Sequence, residues 1–398
     1  MHETIKMVDH TPTGHVKWDD TFTKQVAETA RNFHRTIPGY APTPLADLKG
    51  LAQELGIGAL YVKDESYRFG LNAFKGLGGS FCIANYLAEK LGLAIEDLTF
   101  EKLQQPAIHD RIKDLCFVTA TDGNHGRGIA WTAHCLGVKS RVFMPKGSSL
   151  ERLHNIQALG SDACITEYNY DDTVRHATKV AEENGWPLVQ DTAWEGYETI
   201  PSWIMQGYTT MALEAVEALP EAPTHVFLQA GVGAMSGALT GFLADYYGDN
   251  KPVITIVEPN KADCIFHTAA ANDGKLHNVT GDLHTIMAGL ACGEPCTIGW
   301  EELDAHAEHF ASVPDWVAAK GMRILANPVE GDPKVVSGES GAATTGFVCE
   351  LLQNESLDIL RTRLGLTRES RILCFSTEGA TDRANYRRIV WDGAWASD

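Results

Sequence analysis

The sequence predicts an α/β protein in which mostly parallel strands are joined through helices. Three observations carry this. Short apolar runs alternate with longer amphipathic stretches between Leu115 and Glu258. The 398 residues suffice for two or three domains, or for one large α/β core with a second lobe. The content, 44% hydrophobic and 21% charged, is that of a folded globular chain rather than a disordered one.

Taken in order, the chain to about Ala41 reads as polar and irregular, with one helix over 23–33. Pro42-Thr43-Pro44-Leu45 opens a more regular region, and 59–63 reads as a short strand. Residues 76–90 have helical spacing, with Leu77, Phe81, Ala84, Tyr86 and Leu87 on the apolar face. Strands are then predicted at 115–119, 141–144 and 162–167, with helices at 126–136, 149–159 and 171–184 between and after them. The pattern continues with a long helix at 200–218, a strand at 225–229, a helix at 235–247 and a strand at 253–258. A helix at 342–352 and a strand at 371–376 close it, and His306 and His309 are read as solvated residues of a helix. In such sheets ligands sit where strand ends turn into helices, so those loops are the ones to inspect.

The formal net charge of −19 argues against nucleic-acid and membrane-surface partners, because such a surface repels phosphate backbones and anionic lipid. Met1-His2-Glu3-Thr4 lacks the pattern of a signal peptide, and no apolar run is long enough to span a bilayer, so a cytoplasmic protein is expected. The nine cysteines have no C-x-x-C spacing and read as reduced, mostly buried thiols. For Cys264, Cys292 and Cys296, which lie in less regular sequence, a local disulfide stays open. No His/Cys/Glu set has metal-ligand spacing, and no metal is expected.

Four loops carry chemistry. Lys75 follows an aromatic residue, Phe74, and opens a helix rich in small residues, Gly76-Leu77-Gly78-Gly79-Ser80. It reads either as a solvated helix-start lysine or as a Schiff-base lysine, since a helix N-terminus and a dry pocket both favour the neutral amine. Thr121-Asp122-Gly123-Asn124-His125-Gly126 lies between a strand and a helix, where backbone N–H groups can bind a carboxylate. There Asn124 can donate to a phenolic oxygen, and His125 is either a base or a structural hydrogen-bonding residue. Gly231-Val232-Gly233-Ala234 forms an anion nest at a helix start, and a dinucleotide loop is the competing reading, with Glu258 roughly at ribose-binding spacing and Asp245 too early. Finally, the strand at 371–376 ends in Ser376-Thr377, either of whose hydroxyls can bond a pyridine nitrogen.

In this order the four loops resemble those of the fold type II pyridoxal-phosphate enzymes, which include serine and threonine dehydratases and the tryptophan synthase β-subunit. The resemblance covers roughly residues 40–380. It implies two open, twisted, mostly parallel sheets flanked by helices, with the active site between a large and a small lobe. The large lobe would comprise 1–90 and 192–398, and the small mobile lobe 91–191. Pyridoxal 5'-phosphate would be bound as a Schiff base by Lys75, with Phe74 near the ring and Asn124 at its O3′. Gly231, Val232, Gly233 and Ala234 would cradle the phosphate, and Ser376 or Thr377 would meet the pyridine nitrogen. Ser337-Gly338-Glu339-Ser340-Gly341-Ala342-Ala343 resembles the family's stretch near the ring edge.

One departure narrows the reading. Dehydratases usually carry serine where this chain has Asp122. With Gln190-Asp191-Thr192-Ala193-Trp194-Glu195-Gly196-Tyr197, that substitution resembles the diaminopropionate ammonia-lyase family. The implied reaction converts 2,3-diaminopropionate, D or L, to pyruvate and ammonia, a step of amino-acid catabolism. Lys75 would take the α-proton from the L-substrate and Asp122 from the D-substrate. Thr121, Asp122, Gly123 and His125 would line the substrate-carboxylate loop, and Asp191 reads as an ammonium-binding acid or as a helix cap. A homodimer is implied. Rival readings are a serine or threonine dehydratase, a β-replacement synthase, a dinucleotide-dependent oxidoreductase and a catalytically inactive cofactor-binding regulatory protein.

Overall fold

The computed structural model describes residues 4–17, 20–121 and 123–396, so Asp122 lies outside the described residues. Among these, the strands run in chain order as β1 (Lys6–Asp9), β2 (Leu45–Asp47), β3 (Ala59–Asp64), β4 (Cys116–Ala120) and β5 (Lys139–Met144). They continue as β6 (Asp162–Ile165), β7 (His225–Gln229), β8 (Val253–Pro259), β9 (His309–Val313) and β10 (Arg371–Ser376). The chain folds as two compact units.

The first unit comprises Met1–Asp19, Pro42–Tyr67 and Met211–Asp398. It holds a seven-stranded sheet in the order β1-β9-β8-β7-β10-β3-β2. The five inner strands run parallel, and the edge strands β1 and β2 run antiparallel to their neighbours. Every residue of β7 and all but the first of β10 are buried. Inner parallel strands covered on both faces need apolar side chains at successive positions, hence His225-Val-Phe-Leu-Gln229 and Arg371-Ile-Leu-Cys-Phe-Ser376 rather than strict alternation.

The second unit comprises Asp20–Ala41 and Arg68–Thr210. Residues 91–191 lie wholly inside it, joined by the helices Lys24–Arg35 and Lys75–Leu91 and the first part of Thr199–Ala218. Its sheet is parallel throughout, in the order β4-β5-β6. The segment after the helix Tyr170–Asn184 runs beside β4: Val118 N donates to Pro187 O at 3.0 Å, and Val189 N donates to Val118 O at 2.8 Å. This extension delivers Gln190 and Asp191 to the carboxyl end of β4, near Gly123 and the start of the helix Asn124–Leu136.

The predicted elements are present within three residues at either end. Local pattern does not reveal the short strands β1 and β2, nor β9 and the helices Cys264–Ala271, Asp315–Ala326 and Arg383–Val390. An edge strand of three or four residues has too few positions to show a period of two, and its pairing comes from the sheet beside it. The helix expected around 306–309 is corrected: His306 ends the helix Thr297–His306, and His309 begins β9. His309 is buried, not solvated, with Nδ1 2.9 Å from Asp9 Oδ1.

Candidate active site

Small residues explain how Lys75 is placed. The helix Lys75–Leu91 is approached from two sides by helix backbones of its own unit. A Cβ at Gly128 would lie 3.0 Å from Lys75 O and 3.1 Å from Gly76 N. A Cβ at Gly207 would lie 2.6 Å from Leu77 O, and one at Gly78 would lie 2.4 Å from the Tyr208 ring. The run Gly76-Leu77-Gly78-Gly79-Ser80 is thus a contact surface for two helices, closely packed at the first turn. Lys75 Nζ stands 5.3 Å from the centroid of the Phe74 ring and 5.7 Å from that of Tyr208. Those two rings are tilted against each other at 4.7 Å.

Lys75 Nζ is ion-paired to Asp191 Oδ2. Asp191 is buried, while the lysine side chain keeps about a fifth of its surface accessible (20%). Gln190 anchors the acid: its carbonyl accepts from Ala120 N at 3.0 Å and Thr119 Oγ1 at 3.2 Å. Its amide nitrogen donates to Tyr170 Oη at 3.1 Å and to Asp191 Oδ1 at 3.4 Å. Burial pushes the Asp191 carboxyl up, but His125 and Lys75 outweigh it and hold the group below the ordinary carboxylate value.

The loop before Asn124 is closed by Thr121, whose buried Oγ1 accepts from Gly123 N at 2.9 Å and Gly126 N at 3.0 Å. Gly123 has φ +153°, and a Cβ there would meet the Arg152 side chain at 2.8 Å. Asn124 is half-buried at the first position of its helix. His125 is buried, with Nε2 2.8 Å from Val189 O and Nδ1 3.6 Å from Asp191 Oδ2. Burial lowers its pKa below the ordinary histidine value, against the pull of Asp191. Thr121, Gly123, Asn124, His125, Asp191, Lys75 and Phe74 therefore all belong to the second unit and to its strand ends and helix starts.

The first unit carries the other predicted residues. Gly231 and Val232 follow β7, and Gly233, at φ +90°, precedes the helix Ala234–Tyr247 with no side chain capping that helix. Its first N–H groups form an anion site in backbone and dipole alone. Gly237 sets the packing beneath: a Cβ there would lie 2.6 Å from the Gly299 backbone. At the end of β10 the two hydroxyls differ. Ser376 Oγ donates to Ser337 Oγ at 2.8 Å, and Thr377 Oγ1 accepts from Gln229 Nε2 at 2.8 Å. Glu378, which the sequence reading passed over, accepts from Ser340 N at 3.2 Å through its side chain and from Gly338 N at 2.9 Å through its carbonyl. It ties the 337–343 stretch to the end of β10. Tyr208 and Gln190 were also passed over as site residues: Tyr208 sits mid-helix with no motif around it, whereas Gln190 adjoins the acid it holds.

Two further expectations are settled in this unit. Glu258 does not have the freedom a ribose-binding acid needs: it is buried and accepts from Ile265 N at 2.9 Å and Phe266 N at 2.6 Å. Burial raises its pKa well above the carboxylate range. The disulfide considered among Cys264, Cys292 and Cys296 is not formed; none of the nine cysteines is in a disulfide. Among the described residues, no group of His, Cys, Asp and Glu is arranged to hold a metal, and no helix is long and apolar enough to cross a membrane.

Pyridoxal phosphate fits each half by its own chemistry. The uncapped N-terminus at Gly233–Ala234 suits a phosphate, and Lys75 is a partly accessible amine beside two aromatic rings and paired with a carboxylate. Comparisons agree. The family described as pyridoxal-phosphate dependent enzyme matches residues 36–358. Diaminopropionate ammonia-lyase of Salmonella typhimurium is 52% identical over 366 residues, 91% of each chain. The crystal structure of holo diaminopropionate ammonia lyase from Escherichia coli superposes with a TM-score of 0.93 at 48% identity, covering 99% of this chain and 98% of that one. The same enzyme in complex with D-serine superposes with a TM-score of 0.93 at 47% identity, with the same coverage. This chain belongs to the pyridoxal-phosphate dependent enzymes and, among them, to the diaminopropionate ammonia-lyase family.

Proposed function

We propose that this chain is a pyridoxal-phosphate dependent carbon–nitrogen lyase that converts 2,3-diaminopropionate to pyruvate and ammonia. The observation that carries this reading is the pairing of Lys75 with the buried Asp191 at a strand end, in a chain so close to named ammonia-lyases. An acid there suits a substrate whose second amine is cationic, which serine lacks.

Lys75 would hold the cofactor's aldehyde carbon, with Phe74 against the ring and Asn124 at the phenolic oxygen. Gly231, Val232, Gly233 and Ala234 would hold the phosphate through backbone N–H groups. Ser376 would meet the pyridine nitrogen, with Thr377 its competitor: Ser376 Oγ donates to Ser337, whereas Thr377 Oγ1 accepts from Gln229 and keeps its own proton. The bound cofactor supplies an electron sink for the charge left on Cα. Lys75 Nζ, once neutral, takes the α-proton of the L-substrate, and the Asp122 carboxylate takes that of the D-substrate. Thr121, Gly123 and His125 shape the loop that receives the substrate carboxylate, and Asp191 receives the β-ammonium. The β-amine leaves protonated, because an amide anion is a far worse leaving group. We extend the proposal to a homodimer, to a mobile lobe spanning 91–191 and to a cytoplasmic setting; nine cysteines without a disulfide suit a reducing compartment.

The test is pyruvate release by cofactor-loaded protein from L-2,3-diaminopropionate, D-2,3-diaminopropionate and L-serine, each alone. Fast release from a diamino acid with little from serine is the expected outcome. Release from serine alone would make the chain a dehydratase. For the two bases, Asp122→Asn is expected to lose D-activity far more than L-activity; equal losses would remove the division of labour.

A further inference from the structure

His125 has a polar atom that the reaction as described does not use. Its Nε2 lies 2.8 Å from Val189 O. A carbonyl can only accept, so Nε2 carries a proton. In neutral His125 the other nitrogen, Nδ1, is then an unprotonated lone pair. It is buried without a hydrogen-bond partner and faces Asp191 Oδ2 at 3.6 Å. Two acceptors facing each other in a dry site is an unfavourable arrangement. Adding one proton, at Nδ1 or at the carboxyl, turns it into a hydrogen-bonded pair. The same Oδ2 carries the Lys75 ammonium, so the lysine proton and the proton vacancy share one oxygen.

We propose that the Asp191–His125 pair is a proton store for Lys75, taking the proton that the ammonium must lose and returning it when an amine must again be charged. In the forward transfer the Nζ–H bond breaks and its electron pair stays on nitrogen as the lone pair of a neutral amine. A new N–H bond forms at His125 Nδ1 through Asp191 Oδ2, and the net charge of the three groups is unchanged. The electrostatics point the same way. The Lys75 charge helps keep His125 neutral and Asp191 ionised, and removing that charge favours protonation of the pair. Among the described residues, the neighbours Tyr208, Tyr197 and Cys82 are pushed up by burial and stay neutral, so they do not compete for the proton. His125 acts here as a positioning residue behind Asp191, and the proposal rests on Lys75 being the reactive amine.

The test follows His125 directly in full-length, cofactor-free protein labelled with 15N-histidine, its signals assigned by their loss in His125→Gln. In wild type the expected state at neutral pH is the neutral, Nε2-protonated tautomer. Lys75→Met should raise the His125 pKa by about one unit or more, and adding Asp191→Asn should reverse most of the rise. A His125 pKa that does not respond to Lys75→Met overturns the proposal, as does an imidazolium already present in wild type. In cofactor-loaded His125→Gln, which keeps a donor for Val189 O, the pH midpoint of the visible absorption band should shift. There kcat should fall about tenfold or more with KM little changed. An unmoved midpoint overturns the store. Borohydride reduction of the loaded wild type separates the two readings: label on a lysine other than Lys75 sinks the proposed function, whereas label on Lys75 with an unresponsive His125 sinks only the store.

Discussion

Gly128 lies against the backbone of Lys75 so closely that a methyl group on it would stand 3.0 Å from the lysine carbonyl oxygen. The placement of Lys75, the amine proposed to hold the cofactor, is therefore set by a residue that has no side chain. Gly128→Ala must push the helix Lys75–Leu91 away from the helix Asn124–Leu136. The expected cost is about 1–3 kcal/mol, the usual range for overpacking a dense interior. Urea unfolding of the two proteins measures it, and the variant should also turn over more slowly at saturating substrate.

Gly233 combines a left-handed φ of +90° with an Ile265 methyl carbon 3.0 Å from where a Cβ would stand. Gly233→Ala should strain or reshape the anion nest by about 1–3 kcal/mol. Cofactor affinity is expected to fall by about tenfold or more, since each 1.4 kcal/mol is a factor of ten. Fluorescence titration of the cofactor-free variant with pyridoxal phosphate gives the number. An unchanged Kd would move the phosphate elsewhere.

Ser376 and Thr377 are separable by experiment. Ser376→Ala removes the donor to Ser337, whereas Thr377→Ala removes the acceptor for Gln229. With Ser376 at the pyridine nitrogen, only Ser376→Ala should displace the visible band of the loaded enzyme and cut kcat. The opposite pattern assigns the contact to Thr377.

Acid should weaken the fold through His225. The residue is buried at the start of β7, with Nε2 donating to Leu364 O at 2.9 Å and Nδ1 2.8 Å from Thr224 Oγ1. Burial holds its pKa below the ordinary 6.5. As pH falls below that value the unfolded chain takes up the proton first, so stability declines until the folded form protonates as well. Denaturation midpoints of wild type and His225→Gln, compared at pH 7.5 and 5.5, should show a shallower acid loss in the variant.

Asp191→Asn removes the counter-charge of Lys75 without changing volume. If Asp191 receives the β-ammonium, KM for diaminopropionate should rise about tenfold or more while KM for serine changes far less; kcat should fall for both, because the Lys75 proton passes through the same carboxylate. Steady-state kinetics on both substrates decide it.

How much of this was legible beforehand follows from the range of each interaction. The alternation of strands and helices, the four strand-to-helix loops and the choice of Lys75 came from local pattern, because periodicity and loop chemistry act within a few residues. The strands β1 and β2 escaped because three or four residues carry no period, and β9 was misread because it follows directly on a helix.

The sequence by itself determined the family, and it singled out Lys75 and the Gly231–Ala234 loop as candidates, since each is a contiguous run whose backbone and side chains act together. Only the tertiary structure decided that Asp191 meets both Lys75 and His125, residues 116 and 66 positions before it. The reason is geometric. The strand extension at Pro187–Val189 pairs with β4 through Val118, and that pairing carries Asp191 to the strand end where the other two residues are held.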